Sequence, residues 1–141
     1  MQKTTYIKKE NVKRTWYLVD ASSKVLGRLA TEVASLLLGK NKVEQTNGVD
    51  VGDYVVVVNA SKIELTRGKE VKKMYYSHTT HPGGFKETRY DKLVQKDPTA
   101  PLRMAVSKMI PKNKLRDGVL SRLFIYADEN HKHEAQQPVK L

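Results

Sequence analysis

The sequence WYLVDASSKVLGRLATEVASLLLGK, residues 16–40, changes its hydrophobic period partway along. Residues 16–20 are aromatic and β-branched, which is typical of a strand, and a polar turn with two serines follows them. From residue 24 to residue 38 the apolar side chains fall on one face of a helix. A serine of the turn can cap that helix, and Gly39 can end it in a left-handed conformation. The stretch therefore predicts a strand followed by an amphipathic helix.

A second strand is predicted where residues 54–58 read Tyr-Val-Val-Val-Val. The run does not alternate with polar residues, so we expect both of its faces to be buried, as in a helix-covered parallel sheet. Strand, helix and buried strand make a βαβ unit with a right-handed crossover. Short strands over 63–66, 73–77 and 123–126 and a helix from Asp97 to Pro111 extend the alternation. The pattern predicts an α/β sandwich around a small sheet.

The length and charge of the chain restrict the class of protein. Its 141 residues fit a single domain over 1–141, with an N-terminal extension over 1–14 and a polar C-terminal tail over 128–141. We expect residues 131–141 of that tail to be extended or loosely held. The net charge is +11, and the 26 Lys and Arg residues are spread evenly, so the basic surface belongs to the fold. A polyanionic partner would relieve the repulsion among these charges, with nucleic acid the first candidate and an anionic membrane face the second.

Several other classes receive no support from the sequence. The most apolar run is too short to span a bilayer, and the first ten residues are charged throughout, unlike a signal peptide. There is no cysteine, which excludes a disulfide framework, a thiolate metal site and a cysteine nucleophile. We therefore expect a soluble cytoplasmic protein that does not bind membranes.

The four histidines raise the question of a metal or catalytic site. His78 and His81 lie in a stretch over 75–86 that reads as an irregular loop, and His131 and His133 lie near the C-terminus. Neither spacing is diagnostic of metal binding, and no glycine-rich phosphate loop follows the first strand. The alternative that stays open is a small α/β metal- or nucleotide-dependent enzyme that uses the His78/His81 loop. The sequence therefore predicts a protein that is not an enzyme and that binds neither a metal nor a cofactor.

The same loop suits an RNA surface better. Its histidine rings can stack, its threonine hydroxyls can donate, and its glycines let the backbone approach a phosphate. Residues 102–122 add six basic side chains against Asp117 alone. We predict an RNA-binding surface made of Lys40, Lys42, Arg67, Lys69, His78, His81, Gly83, Gly84, Lys86, Lys108, Lys112, Lys114 and Arg122.

Motifs in a fixed order carry a family resemblance. These motifs are WYLVDA, LGRLA, LGK, DYVVVVNA, YY with HT and GG, MIPK and AQQP. Through them, from about Trp16 to Pro138, the chain is similar to the bacterial-type family of the thirteenth protein of the large ribosomal subunit. It departs from the family at Thr80 and Asp128, where glycine is frequent, and at Arg116-Asp117, which replaces a common Gly-Arg.

The resemblance implies a fold, a function and a location. The implied fold is a three-layer α/β/α sandwich around a small, largely parallel open sheet. The implied function is that of a structural constituent of the large ribosomal subunit, which binds large-subunit ribosomal RNA, contacts neighbouring ribosomal proteins and supports early assembly. No enzymatic activity or small-molecule substrate is implied, and the location is the ribosome in the cytoplasm. For some members the family also implies binding of their own messenger RNA, which represses translation.

Overall fold

The structure is a computed structural model that describes residues 6–46 and 48–141. The first five residues of the predicted extension over 1–14 lie outside the described residues. Three short 3-10 turns, Lys9–Asn11, Ala60–Lys62 and Glu134–Gln136, accompany the main elements. Those elements are β1 (Trp16–Asp20), α1 (Leu26–Leu38), β2 (Tyr54–Val58), α2 (Lys69–Lys72), β3 (Met74–His78), β4 (Phe85–Arg89), α3 (Tyr90–Lys96), α4 (Ala100–Met109), α5 (Arg116–Leu120), β5 (Leu123–Ile125) and β6 (Val139–Lys140).

The main sheet has four strands in the order β5-β2-β1-β6, and each neighbouring pair is parallel. Strands β1 and β2 flank α1 in the chain and pair directly, with Val19 opposite Val57. Strands β3 and β4 form a separate antiparallel pair. The predicted α/β fold with a largely parallel sheet flanked by helices is therefore confirmed.

One face of the sheet carries the aliphatic core. The apolar stripe of α1 places Leu29, Val33 and Leu37 in full burial, together with Val55 and Val57 of β2. Helix α4 packs on α1 and adds two more fully buried aliphatic side chains to the same cluster. Each such side chain contributes about 1.5–3 kcal/mol on removal from water, so this layer holds the fold together.

The other face carries a stack of rings. Trp16 and Tyr54 are in-register neighbours on β1 and β2, and their ring centroids lie 4.3 Å apart with the planes at 6°. Phe124 of β5 continues the stack at 5.7 Å from Trp16, and His133 lies 4.3 Å from Phe124. The polar tail over 128–141 supplies His133 to the ring stack and the extended strand β6 to the edge of the sheet.

Helix α1 begins two residues later than predicted and lacks the predicted serine cap. The backbone N–H and the hydroxyl of Ser22 both donate to Asp20, at 2.9 and 2.8 Å. Val25 forms a parallel bridge with Glu64, and the N–H of Leu26 donates to the Glu64 carbonyl at 3.1 Å, so Val25 is extended and the helix begins after it. The helix ends as predicted at Gly39, which has φ 69°.

Other elements differ from the sequence reading because their partners lie elsewhere in the chain. The predicted strand over 63–66 makes only the bridge at Glu64. Strand β4 and helices α3 and α5 were not expected, since their sequences are polar and short. Asp97 accepts from the N–H and hydroxyl of Thr99 and so forms the turn before α4, which begins at Ala100 rather than at Asp97. Among the described helices, none is long and apolar enough to cross a membrane.

Candidate functional site

The stretch over 75–86 forms the end of the β3–β4 hairpin instead of an irregular loop. In the hairpin His78 pairs with Phe85 and Ser77 pairs with Lys86. Residues 79–84 make the tip, and the tip and the adjoining ends of both strands are largely exposed. The hairpin thus brings together five of the predicted RNA contacts, His78, His81, Gly83, Gly84 and Lys86.

The geometry of the turn accounts for both glycines of the tip. The N–H of Thr79 donates to the carbonyl of position 84, and the N–H of Gly84 donates to the carbonyl of His81, both at 3.0 Å. Gly83 has φ 73°, which side chains disfavour. A Cβ on Gly84 would lie 1.9 Å from the Thr79 hydroxyl oxygen and 2.9 Å from the His81 carbonyl oxygen. The tip therefore needs glycine at 84 whether or not a phosphate approaches it.

Gly84→Ala is expected to open the tip while leaving the main core intact. The two tip hydrogen bonds should be lost, but global stability should fall by only about 1 kcal/mol, because loops contribute little buried area. Amide hydrogen exchange at Thr79 measures the first effect and urea denaturation the second. Adding Thr79→Ala should restore part of the protection, since it removes the nearest clashing atom. Unchanged exchange at Thr79 in the single variant would contradict this account.

A second basic feature is a groove of about 330 Å³ lined by Lys69, Lys73 and Lys108, which we call the lysine groove. It lies between the start of α1, helix α2 and the end of α4, and its lining contains no carboxylate. Folding thus joins Lys69 and Lys108, which the sequence reading named separately. Lys73 was not predicted, although its spacing of four residues from Lys69 would have placed both side chains on one face of a helix. Arg67 is exposed in the turn that leads into α2.

Tyr75 lies at the foot of the hairpin beside the lysine groove. The ammonium of Lys73 lies 5.3 Å from the centre of the Tyr75 ring. Burial, and to a lesser degree the neighbouring Tyr90, raises the pKa of Tyr75 to about 12. The phenol therefore stays neutral at physiological pH and does not offset the charge of the lysines.

A third basic feature lies near the amino ends of the parallel strands. Lys40 lines one pocket there, and Lys114 lines an adjoining pocket together with Lys9 and Arg14. We call these four residues the amino-end cluster. Lys112 is exposed on the same loop as Lys114. Lys9 and Arg14 were missed because residues 1–14 were treated as an appendage, although the basic run over 8–14 was visible in the sequence.

Two predicted contacts have internal partners instead. Arg122 is 5% exposed, and its guanidinium donates to both carboxylate oxygens of Asp50 and to the carbonyls of Leu37 and Gly118. The ammonium of Lys42 donates to the fully buried Asp53 at 2.5 Å and to two backbone carbonyls. Because their donors are occupied inside the fold, Arg122 and Lys42 are less available to a phosphate than the exposed lysines.

The carboxyl ends of the strands carry the opposite charge. A cleft of about 380 Å³ there is lined by Asp20, Asn59, Glu129 and Glu134, among others. Hydrogen bonds from the backbone and hydroxyl of Ser22, and then from Asn59, hold the pKa of Asp20 below its ordinary value. Asp20 is therefore anionic at neutral pH. We call this part of the surface the acidic edge, because its lining has three carboxylates against one lysine, Lys140.

The histidines do not assemble into one site. His78 and His81 lie on the hairpin, whereas His133 is packed on the ring stack and His131 accepts from the His133 N–H at 3.2 Å. Across residues 6–46 and 48–141, no three potential ligands among His, Asp and Glu come together as a metal centre. The hairpin histidines are thus exposed side chains on a basic surface.

Known proteins are similar to this chain over all or nearly all of its length. Residues 14–132 match the family model described as Ribosomal protein L13. The chain is 54% identical over 141 residues to the large ribosomal subunit protein uL13 of Geobacter sulfurreducens, a match that covers 100% of this chain and 99% of that protein. The proteins of the same name from Hahella chejuensis and Chloroflexus aurantiacus are 51% and 52% identical, over 99% and 96% of this chain and 98% and 94% of theirs.

Proposed function

The chain belongs to the ribosomal protein L13 family, and we propose from this premise that it binds large-subunit ribosomal RNA through the hairpin, the lysine groove and the amino-end cluster. The family resemblance predicted from the ordered motifs is confirmed. The protein has a structural role in the large ribosomal subunit and is not an enzyme. The hairpin histidines are accordingly assigned to RNA contact rather than to catalysis.

The lysine groove is the observation that carries the RNA proposal. Three lysines line one depression without a carboxylate in its lining, so their charges are not neutralised from within the groove. Lysine binds phosphate as a mobile point charge, which suits a backbone of variable local shape. The acidic cleft at the carboxyl ends of the strands would be repelled by RNA and should face away from it.

Assembly and partners follow from the same arrangement. The aliphatic core and the ring stack are complete within the chain, so the protein can present a preformed basic surface before the subunit is built. This supports a role in early assembly, with contacts to neighbouring ribosomal proteins and a location in cytoplasmic ribosomes. Binding of its own messenger RNA to repress translation would use the same surface, provided that the message offers a backbone of similar shape.

Replacing Lys69, Lys73 and Lys108 together by glutamine should weaken RNA binding mainly at low salt. Each lost phosphate contact lowers the slope of log affinity against log salt by roughly 0.7–0.9, so the slope of the triple variant should fall by about 2.1–2.7. The measurement is filter binding or calorimetry with a transcript of the organism's large-subunit ribosomal RNA over a range of salt concentrations.

The matched control is Lys62→Gln, because Lys62 is an exposed lysine near Asp20 at the acidic edge. Its slope should equal that of the unaltered protein. If the triple variant keeps its full slope while remaining folded, the lysine groove does not face RNA. If Lys62→Gln reduces the slope as much as the loss of one groove lysine does, RNA binding does not depend on which side of the protein carries the positive charge.

A further inference from the structure

One face of the hairpin exposes an aromatic pair that the phosphate contacts do not use. Tyr76 and Phe85 are 63% and 57% exposed, although rings of this size are usually buried. Their centroids lie 5.7 Å apart with the planes at 15°, so they form an offset stack with open outer faces. The strand register places His78, the direct partner of Phe85, on the same side of the hairpin. Three rings thus line one exposed face.

The same face carries a carboxylate at a position that a phosphate-binding surface would avoid. Glu87 is the direct cross-strand partner of Tyr76, and it is exposed. Within the described part of the chain, no ion pair or hydrogen bond occupies its side chain. A carboxylate repels phosphate but accepts hydrogen bonds from the amino and imino groups of bases. The combination of stacked rings and a free acceptor matches a base better than a phosphate.

The surroundings of the rings favour a nucleobase over a protein partner. On the same face the pair is bordered by His78 and Glu87, so the apolar area is confined to the rings and is small for a protein docking site. The opposite side of the strands carries Lys86, whose cross-strand partner is Ser77 and whose charge is free to reach a backbone phosphate. The net charge of +11 provides the attraction that brings RNA to this surface.

We propose that this face of the hairpin binds an unpaired nucleotide of large-subunit ribosomal RNA. Its base stacks on Tyr76 and Phe85, and its amino-bearing edge donates to Glu87. The proposal rests on the proposed RNA-binding function and adds the class of RNA that the hairpin takes. A base can stack on these rings only if it is not already stacked between neighbouring bases, so the target is a loop or bulge rather than a continuous duplex.

The test uses Tyr76→Leu combined with Phe85→Leu, which keeps apolar side chains but removes both rings. The matched control is the exchange variant Tyr76→Phe with Phe85→Tyr, which keeps two rings. Each protein is bound to a transcript of the organism's large-subunit ribosomal RNA, and the transcript is probed with reagents that modify the base-pairing edge of unpaired bases. Cleavage of the backbone by hydroxyl radicals is mapped in parallel, and thermal unfolding verifies that each variant is folded.

The unaltered protein and the exchange variant should protect an unpaired base from modification. The leucine variant should lose this protection and bind about tenfold more weakly, the size expected for one stacked base, with an unchanged salt slope. Glu87→Ala gives an independent readout that does not disturb the rings. It should weaken binding if Glu87 accepts from a base, whereas loss of a carboxylate beside a phosphate would tighten binding.

Three results would overturn the proposal while leaving the proposed function in place. The first is unchanged base protection in the leucine variant, and the second is tighter binding by Glu87→Ala. The third is normal RNA binding by the leucine variant combined with failure to enter assembling subunits, which would assign the rings to a protein neighbour. Absence of salt-sensitive binding in the unaltered protein would instead overturn the proposed function and this inference together.

Discussion

Arg122→Ala is expected to lower the free energy of unfolding by about 3–5 kcal/mol, which is a large share of the stability of a typical domain. The substitution leaves the carboxylate of Asp50, which is 18% exposed, without its bidentate partner. It also leaves the carbonyl oxygens of Leu37 and Gly118 without the donor that now joins them. Arg14 lies 3.9 Å from Asp50 and can compensate in part, so the lower half of the range is expected.

Urea denaturation of three variants tests this prediction. Arg122→Lys keeps the charge but not the planar fork, so its loss should fall between zero and that of Arg122→Ala. Lys112→Ala removes an exposed cation from the neighbouring loop and should change stability by no more than about 0.5 kcal/mol. A loss below about 1 kcal/mol for Arg122→Ala would mean that the pair with Asp50 contributes no more than a surface ion pair.

Gly52→Ala is expected to cost at least about 3 kcal/mol, for a steric reason. A Cβ at this position would lie 1.7 Å from the carbonyl oxygen of Leu37 and 2.6 Å from its carbonyl carbon. These are backbone atoms at the end of α1, so no side-chain rotation can relieve the clash. The end of α1 would have to move away from the segment that leads into β2, and the guanidinium of Arg122, at 3.0 Å from the new Cβ, would move with it.

The matched control for Gly52→Ala is Gly27→Ala, whose new Cβ would meet no atom within 4 Å. Gly27 is helical and exposed, so alanine there should stabilise the protein by up to about 1 kcal/mol. The same substitution is therefore expected to have opposite signs at two sites only 25 residues apart in sequence. Chemical denaturation measures both, and a cost below about 1 kcal/mol for Gly52→Ala would show that the backbone yields easily.

Elements that the sequence predicted well depend on their own residues. The β-branched run of β2 has no polar position to expose, so its burial on both faces could be read directly from the sequence. The end of α1 could be predicted because glycine at 39 reaches the left-handed conformation without strain. The family could be predicted from motifs in order, since such a series of matches is specific even where each motif is weak.

Elements that the sequence did not predict depend on a partner far along the chain. Strand β4 has a polar sequence and forms because β3 supplies its hydrogen-bonding edge. Strand β6 exists because β1 has a free edge, although about 120 residues separate them. The start of α1 is displaced because the Glu64 backbone keeps Val25 extended. The local hydrophobic periodicity of the sequence does not indicate such long-range pairings.

The candidate interface shows the same division between sequence and fold. The total charge, the basic character of the surface and the residues of the hairpin tip were available from the sequence. The sequence did not show which cations are free to bind phosphate, because a lysine or arginine becomes unavailable when folding brings a carboxylate to it. Arg122 meets Asp50 across 72 positions of the chain, whereas Lys69 and Lys108 meet no carboxylate in the lining of their groove. The proposed interface therefore depends on where folding places the acidic side chains, since an unpaired cation can neutralise a phosphate and a buried, paired one cannot.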